Sequence, residues 1–557
     1  MAPFRLLIVG GVAGGASCAA RARRLSEEAE IVIFERGDFV SFANCGLPYH
    51  VGGVIAREEE LLVASPQLFR ERLRIEVRLG TEAVAIDRAR QLLRVREVAT
   101  GRESEERYDA LVLSPGAQPI RPDWPGIDLP GIFALRTIPD ARRIRGWIEE
   151  RRARAALIVG GGYIGLEMAE NLLRRGLDVT VVEREAQVLP HFDPEMAAPL
   201  AETLAAHGVR LRLSETVLGF EPDPSGGIRA RLSSGASASA DLVLLCIGVR
   251  PETELARAAG LEIGERGGIR VDARMRTSSP RIWAVGDAVE VKDVVTGRYG
   301  PVPLAGPANR QGRIAADVIF GRESSFRGAQ GTAVVGVFEA TAACTGPSEK
   351  ALRRAGLWGE EGPFEKIILH PGHHAAYYPG AEPIALKLIF RRDNGRIVSA
   401  QAVGRAGVEK RIDVIAMAIQ KEGTVFDLEE AELCYAPQFG AARDPVNVAG
   451  MIAANVLRGD ARIAHWENLE GFPGLLLDVR TEEEVGRGRV PGAVHIPLDR
   501  LRERLKELPR DREIWAYCYV GQRSYLASRL LSQKGFRCRN LSGGYRTYLH
   551  RGGRVAS

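Results

Sequence analysis

Two cysteines sit in surroundings suited to sulfur chemistry. Cys45 lies in the run Ser41-Phe42-Ala43-Asn44-Cys45-Gly46-Leu47-Pro48-Tyr49, with no second cysteine near it in sequence. Such a thiol cannot close a local disulfide. A two-electron cycle there must store its second equivalent on a bound small thiol or on a single oxidised sulfur. Cys518 opens Cys518-Tyr519-Val520-Gly521-Gln522-Arg523, between the apolar run Ile514-Trp515-Ala516-Tyr517 and a helical stretch from Tyr525 to Gln533. Strand, CxxxxR loop and helix aim successive loop N–H groups and the helix N-terminus at one sulfur, and Arg523 adds positive charge. A thiol in that cradle ionises readily and can hold a sulfane sulfur as a persulfide.

These residues need elements to hold them. Leu6 to Val9 reads as a buried parallel strand; it enters Gly10-Gly11-Val12-Ala13-Gly14-Gly15, then a helical stretch from Ala16 to Leu25, then a strand Ile31 to Phe34 ending at Glu35. This is a βαβ unit with its acid about 25 positions after the first glycine, although Val12 stands at the usual middle glycine position. Its helix N-terminus would face a pyrophosphate and Glu35 a ribose hydroxyl. The second copy is complete: Leu157-Ile158-Val159 leads into Gly160-Gly161-Gly162-Tyr163-Ile164-Gly165, and the strand Val179 to Val182 ends at Glu183. An acid there repels a 2′-phosphate and favours NADH; Arg184 beside it keeps NADPH as the alternative. Leu111 to Gly116 and Leu242 to Gly248 read as paired crossing strands ending in glycine turns, and Ile282 to Asp287 as a strand ending in Gly-Asp.

At 557 residues the chain is too long for one core, and three or four domains are expected. Seven cysteines, odd in number and without CxxC pairs, argue for reduced thiols in the cytoplasm. No signal peptide or membrane-length apolar run is apparent. The net charge of +5 is small for this size, and no basic run interleaved with aromatics points to nucleic acid. His370, His373 and His374 lack carboxylate or cysteine partners at ligand spacing, so no metal is expected.

With two dinucleotide units and the Gly286-Asp287 strand, the chain resembles the two-dinucleotide-fold flavoprotein reductases. The resemblance implies an α/β fold in which the first unit binds FAD through Gly10, Val12, Ala13, Gly14, Gly15, Glu35, Asn44, Gly116 and Asp287. The second would bind NAD(H) through Gly160, Gly162, Gly165 and Glu183. The implied division is a split FAD-binding domain (1–117 and 245–325), an NAD(H)-binding domain (118–244), an α+β dimerisation domain (326–452) and a linker (453–469). Residues 470–557 would then form an α/β rhodanese domain.

The run around Cys45 is shared by single-cysteine NADH oxidases, NADH peroxidases and coenzyme A-disulfide reductases. The first two typically carry a histidine where this chain has Ala13, so the resemblance favours the third and related persulfide and polysulfide reductases. It implies a cysteine at a helix N-terminus over the flavin, its thiol pKa lowered by the helix dipole. It also implies a homodimer in which Tyr377 (or its neighbour Tyr378) and Tyr435 reach the partner's site as proton donors. Ser17, Arg21, Arg24, Ser41, Asn44, Asn309 and Arg443 would line a coenzyme A channel. Leu475-Leu476-Leu477-Asp478-Val479-Arg480, Arg489 to Pro497, the Cys518 loop and Leu541 to Tyr545 resemble a single-domain rhodanese. The expected function is therefore FAD-dependent, NADH-driven reduction of persulfides, polysulfides or coenzyme A disulfide, with Cys518 relaying sulfane sulfur. The competing expectations are an NADH oxidase or peroxidase with an appended sulfur carrier, and a thiol-redox sensor.

Overall fold

The computed structural model describes residues 3–224, 226–359 and 362–556. They form two compact units: residues up to Ala186 with Gly208–Gly331, and Gln187–His207 with Thr332 onward.

The first unit carries two five-stranded parallel sheets. One runs Ile282–Ala284, Ala110–Leu113, Arg5–Val9, Glu30–Phe34, Glu76–Arg78; the other runs Arg210–Leu213, Asp178–Glu183, Ala155–Val159, Leu242–Leu245, Ile132–Phe133. Central strands such as Ala110–Leu113 and Leu242–Leu245 are buried along their whole length. A parallel strand covered on both faces needs a continuous apolar run rather than an alternating one. The helix Ala13–Arg23 packs against Ala305–Ile319. The approach is close: a Cβ on Gly312 would lie 2.2 Å from the Gly14 carbonyl oxygen.

The expected pairing of Leu111–Gly116 with Leu242–Gly248 is corrected. Those strands belong to different sheets, each flanked by parallel neighbours. The pairing lies just beyond the glycines, where Ala117–Pro119 meets Val249–Pro251 antiparallel. Gly116 and Gly248, at φ +81° and +108°, turn both chains out of their sheets into this ribbon.

The second unit holds an antiparallel sheet in the order Ala333–Val337, Ala340–Thr345, Ile397–Gly404, Ala385–Arg391, Phe364–Leu369. It also holds a five-stranded parallel sheet with Ile514–Tyr517 at its centre, between Cys538–Leu541 and Leu475–Asp478. The two sheets are joined by polar contacts. The Ile368 amide donates to Ser542 Oγ at 2.8 Å, and His370 Nε2 lies 2.9 Å from Thr547 Oγ1.

Beneath them lies a buried ionic cluster. The Lys387 ammonium lies 2.9 Å from Asp193, 2.6 Å from Glu195 and 2.7 Å from Glu349. Lys366 bridges Glu349 to Glu467, and Arg551 reaches Glu195 at 3.0 Å. The three carboxylates are close enough to hold a metal ion, but Lys387 supplies the cation. Burial disfavours charge here, yet Lys387 and Lys366 outweigh it and hold Glu349 well below the carboxylate range.

Candidate functional site

Three groups of residues carry the candidate chemistry. In the first unit both glycine loops pack directly against bare backbone. Gly10 (φ +90°) would place a Cβ 2.1 Å from the Ser114 carbonyl oxygen, and Gly160 (φ +106°) one 2.4 Å from that of Cys246. One turn on, a Cβ at Gly15 or Gly165 would strike the carbonyl of Gly10 or Gly160 at 1.9 and 2.0 Å. Each loop is anchored by the acid at the end of the next strand. The Glu35 carboxylate accepts from the Gly11 and Gly37 amides, both at 2.9 Å. That of Glu183 accepts from Gly161 at 2.7 Å and Glu185 at 2.9 Å. Two strand–glycine–helix cradles, each with an acid at ribose distance along the chain, fit two dinucleotides. Asp287 sits in the turn Gly286–Ala288. Burial raises its pKa against the pull of Arg136.

Cys45 lies in the single turn Asn44–Gly46, ahead of the five-residue helix Leu47–Val51. The residue is a free cysteine open to solvent on one side, with its sulfur partly buried. The expected lowering of its pKa is corrected: burial raises it, and Glu167 and Asp287 raise it further. The helix is too short for its dipole to outweigh two carboxylates. Glu167 was missed at the sequence level. It stands two residues past Gly165 on the helix Tyr163–Arg174 and is pushed up to about 7, chiefly by burial. Tyr49 donates to it at 3.3 Å. The signal was present, an acid just past the first turn of the helix Tyr163–Arg174, but nothing local says that it faces Cys45.

The remaining first-unit candidates divide. Ser17 Oγ donates to Asn309 Oδ1, so those two are brought together. Asn44 Nδ2 donates to the Arg136 carbonyl at 3.3 Å. Ser41 holds a left-handed backbone, φ 49°, an unusual conformation for a serine at a site. Arg24 is exposed. Arg21 is held by Asp317 at 2.7 Å, so its charge is balanced before any phosphate arrives.

In the second unit Tyr377 and Tyr435 are exposed and joined through their phenol oxygens at 2.5 Å. Tyr378 turns its ring edge to His374 instead. Arg443 is exposed, while its neighbour Asp444 is buried against Arg411.

Cys518 follows the strand Ile514–Tyr517 and is buried. The Gly521 amide donates to its sulfur at 3.1 Å and Ser524 Oγ at 3.5 Å, both at the start of the helix Gln522–Gln533. Arg523, expected to add positive charge at this sulfur, does interact with Cys518, and a carboxylate shares it. Its guanidinium donates to both oxygens of Glu484, at 2.7 and 2.6 Å. In sequence, Thr481-Glu482-Glu483-Glu484 reads only as a capping box, and Glu484 does close one with Thr481. Folding gives the same carboxylate a second partner.

Comparison with known proteins gives a consistent picture. Residues 4–312 match the pyridine nucleotide-disulphide oxidoreductase model, 332–445 the dimerisation domain of that class, and 464–550 the rhodanese-like domain. The chain is 34% identical to the coenzyme A disulfide reductase of Staphylococcus epidermidis over 453 residues, which is 80% of this chain and 99% of that one. Among solved structures it is similar to the reduced CoADR-RHD of Bacillus anthracis, with 44% identity, a TM-score of 0.97 and full coverage of both chains. It is also similar to an NAD-dependent persulfide reductase from A. fulgidus, with 38% identity and a TM-score of 0.91 over 98% of this chain and 100% of that one.

Proposed function

The chain belongs to the pyridine nucleotide-disulphide oxidoreductase family, and from that premise we propose that it reduces coenzyme A disulfide and persulfides through Cys45, with Cys518 as a sulfane-sulfur carrier. The observation that carries this reading is the solitary Cys45 thiol beside Glu167 and Asp287 in a unit with two dinucleotide cradles.

Gly10, Gly14, Gly15, Glu35 and Asp287 would hold FAD, and Gly160, Gly162, Gly165 and Glu183 would hold NADH. A flavin bound there supplies two electrons, drawn from NADH, to sulfur carried on Cys45. At rest Cys45 forms a mixed disulfide with coenzyme A, which provides the second sulfur missing from the polypeptide. In its reduced form the Cys45 thiolate attacks the outer sulfur of a persulfide. The new bond is Cys45 S–S, the bond between the donor's two sulfurs breaks, and the leaving thiolate takes a proton from the Tyr377–Tyr435 pair. Two electrons then return Cys45 to a thiolate and free hydrogen sulfide. Glu167, with a pKa near neutrality, exchanges a proton beside Cys45 as the sulfur changes charge. Ser17, Asn309, Arg24 and Arg443 are proposed to guide the coenzyme.

Segment 332–445 matches a dimerisation domain, and two copies of the chain are proposed to complete each other's sites with the tyrosine pair. Among the described residues no helix is long and apolar enough to cross a membrane. We further infer a cytoplasmic location from the unpaired Cys45 and Cys518.

Intact mass spectrometry under denaturing, non-reducing conditions tests the reading. The oxidised enzyme should carry coenzyme A on Cys45, and Cys45→Ser should lose the adduct and NADH-driven turnover together. An unmodified Cys45 in an active oxidised enzyme would overturn it.

A further inference from the structure

The Cys518 cradle is built from neutral donors and balanced charges. Its sulfur receives the Gly521 amide and the Ser524 hydroxyl. The guanidinium of Arg523 also reaches this sulfur, but it is bound at both ends by Glu484. Glu484 is itself fixed, since its carboxylate also accepts the Thr481 amide at 2.9 Å. A further cation, Arg480, is buried against Asp478 at 2.7 Å. Both arginines are paired with a carboxylate, so an incoming anion must compete with that carboxylate for them.

We propose that Glu484 sets the donor class of the Cys518 site, so that sulfane sulfur arrives on an organic persulfide rather than on dianionic thiosulfate. The inference rests on the reading of Cys518 as a sulfur carrier. A dianion approaching the cradle meets the Glu484 carboxylate or must pull Arg523 away from it. Both cost free energy, because a bidentate guanidinium–carboxylate pair is among the stronger charge-assisted contacts. A persulfide reacting as RS–SH presents an uncharged S–SH group to the cradle, with any charge of R held away from the reacting sulfurs, and meets neither obstacle. In either case the Cys518 thiolate attacks the sulfane sulfur. A bond forms between Cys518 Sγ and that sulfur, and the donor's own bond to it breaks. The electron pair leaves on sulfite from thiosulfate, or on RS⁻ from the persulfide, whose proton stays on the transferred sulfur. Glu484 touches no reacting atom; it acts by holding Arg523.

The test uses the full-length chain carrying Cys45→Ser, without NADH, and subtracts the signal of Cys45→Ser/Cys518→Ser, since Cys434 is also free and exposed, so that the added sulfur counted by intact mass belongs to Cys518. Rates of loading from glutathione persulfide and from thiosulfate are compared. Glu484→Gln keeps the size and the capping acceptor but removes the charge. It should shift the ratio of loading rates toward thiosulfate by roughly tenfold, and Glu484→Asp should bring the ratio back toward the parent value. An unchanged ratio in Glu484→Gln, or equal shifts in both variants, would overturn the proposal alone. Loading by neither donor in the parent would remove the sulfur-carrier reading and the proposal with it.

Discussion

The phenol oxygens of Tyr377 and Tyr435 lie 2.5 Å apart, although 58 residues separate them in the chain. Their hydrogen bond is the first cause of the raised pKa of Tyr377, which keeps a proton available on an exposed side chain. Tyr435→Phe removes that bond. It should lower turnover with coenzyme A persulfide on the order of a hundredfold, the usual range for losing a general acid. Because the bond raises the Tyr377 pKa, its loss should also move the alkaline limb of the rate profile to lower pH. The Tyr377→Phe/Tyr435→Phe double variant should fall little below the worse single one. An alkaline limb that stays in place would argue against proton donation by the pair.

Cys45 is pushed up by burial, then by Glu167 and Asp287. Removing one negative neighbour favours the thiolate. Glu167→Gln should therefore lower the midpoint of the pH dependence of Cys45 alkylation and speed alkylation at pH 7. A slower reaction would mean that Glu167 acts on Cys45 in another way than by its charge.

Lys387 is 1% exposed and balances Asp193, Glu195 and Glu349. Lys387→Met leaves three buried carboxylates facing one another with less compensation. A loss of about 3–5 kcal/mol is expected, visible as a lower thermal midpoint with a larger drop at pH 8 than at pH 4, where the carboxylates can take up protons. Equal drops at both pH values would place the cost in packing.

His370 and His550 lie at the contact between the antiparallel sheet and the helix Gly544–His550. Burial lowers His370 to about 3, and burial together with Arg546 lowers His550 to about 4. Depressed histidines stay neutral when folded and protonate near 6.5 when unfolded, so stability is full above that pH and falls as pH drops from 6.5 toward 4. A tenfold difference in proton affinity between the folded and unfolded chain is worth about 1.4 kcal/mol. His550→Gln should flatten the slope of thermal stability against pH in that window. The slope contributed by Glu195 and Glu349 lies lower, since their depressed carboxyls lose stability only below the ordinary range of 4.5.

Much of the fold was legible from local pattern. The strands Arg5–Val9 and Ala155–Val159, the glycine turns after them and the acids Glu35 and Glu183 stand where the βαβ pattern puts them. The Cys518 loop lies between a strand and a helix as its spacing implied. Each of these signals is complete within about thirty residues, because a turn or a helix N-terminus depends mostly on its own neighbours.

The amino-acid sequence by itself determined two strand–glycine–helix turns, a solitary cysteine after the first, and a second cysteine in a loop between a strand and a helix. Only the tertiary structure decided what faces those sulfurs. Glu167 beside Cys45, Glu484 on Arg523, Tyr435 on Tyr377 and the Lys387 cluster each join distant segments. A side chain's charge belongs to its residue type, but whether that charge is free, balanced or buried depends on which segments pack together, and packing is a property of the whole chain.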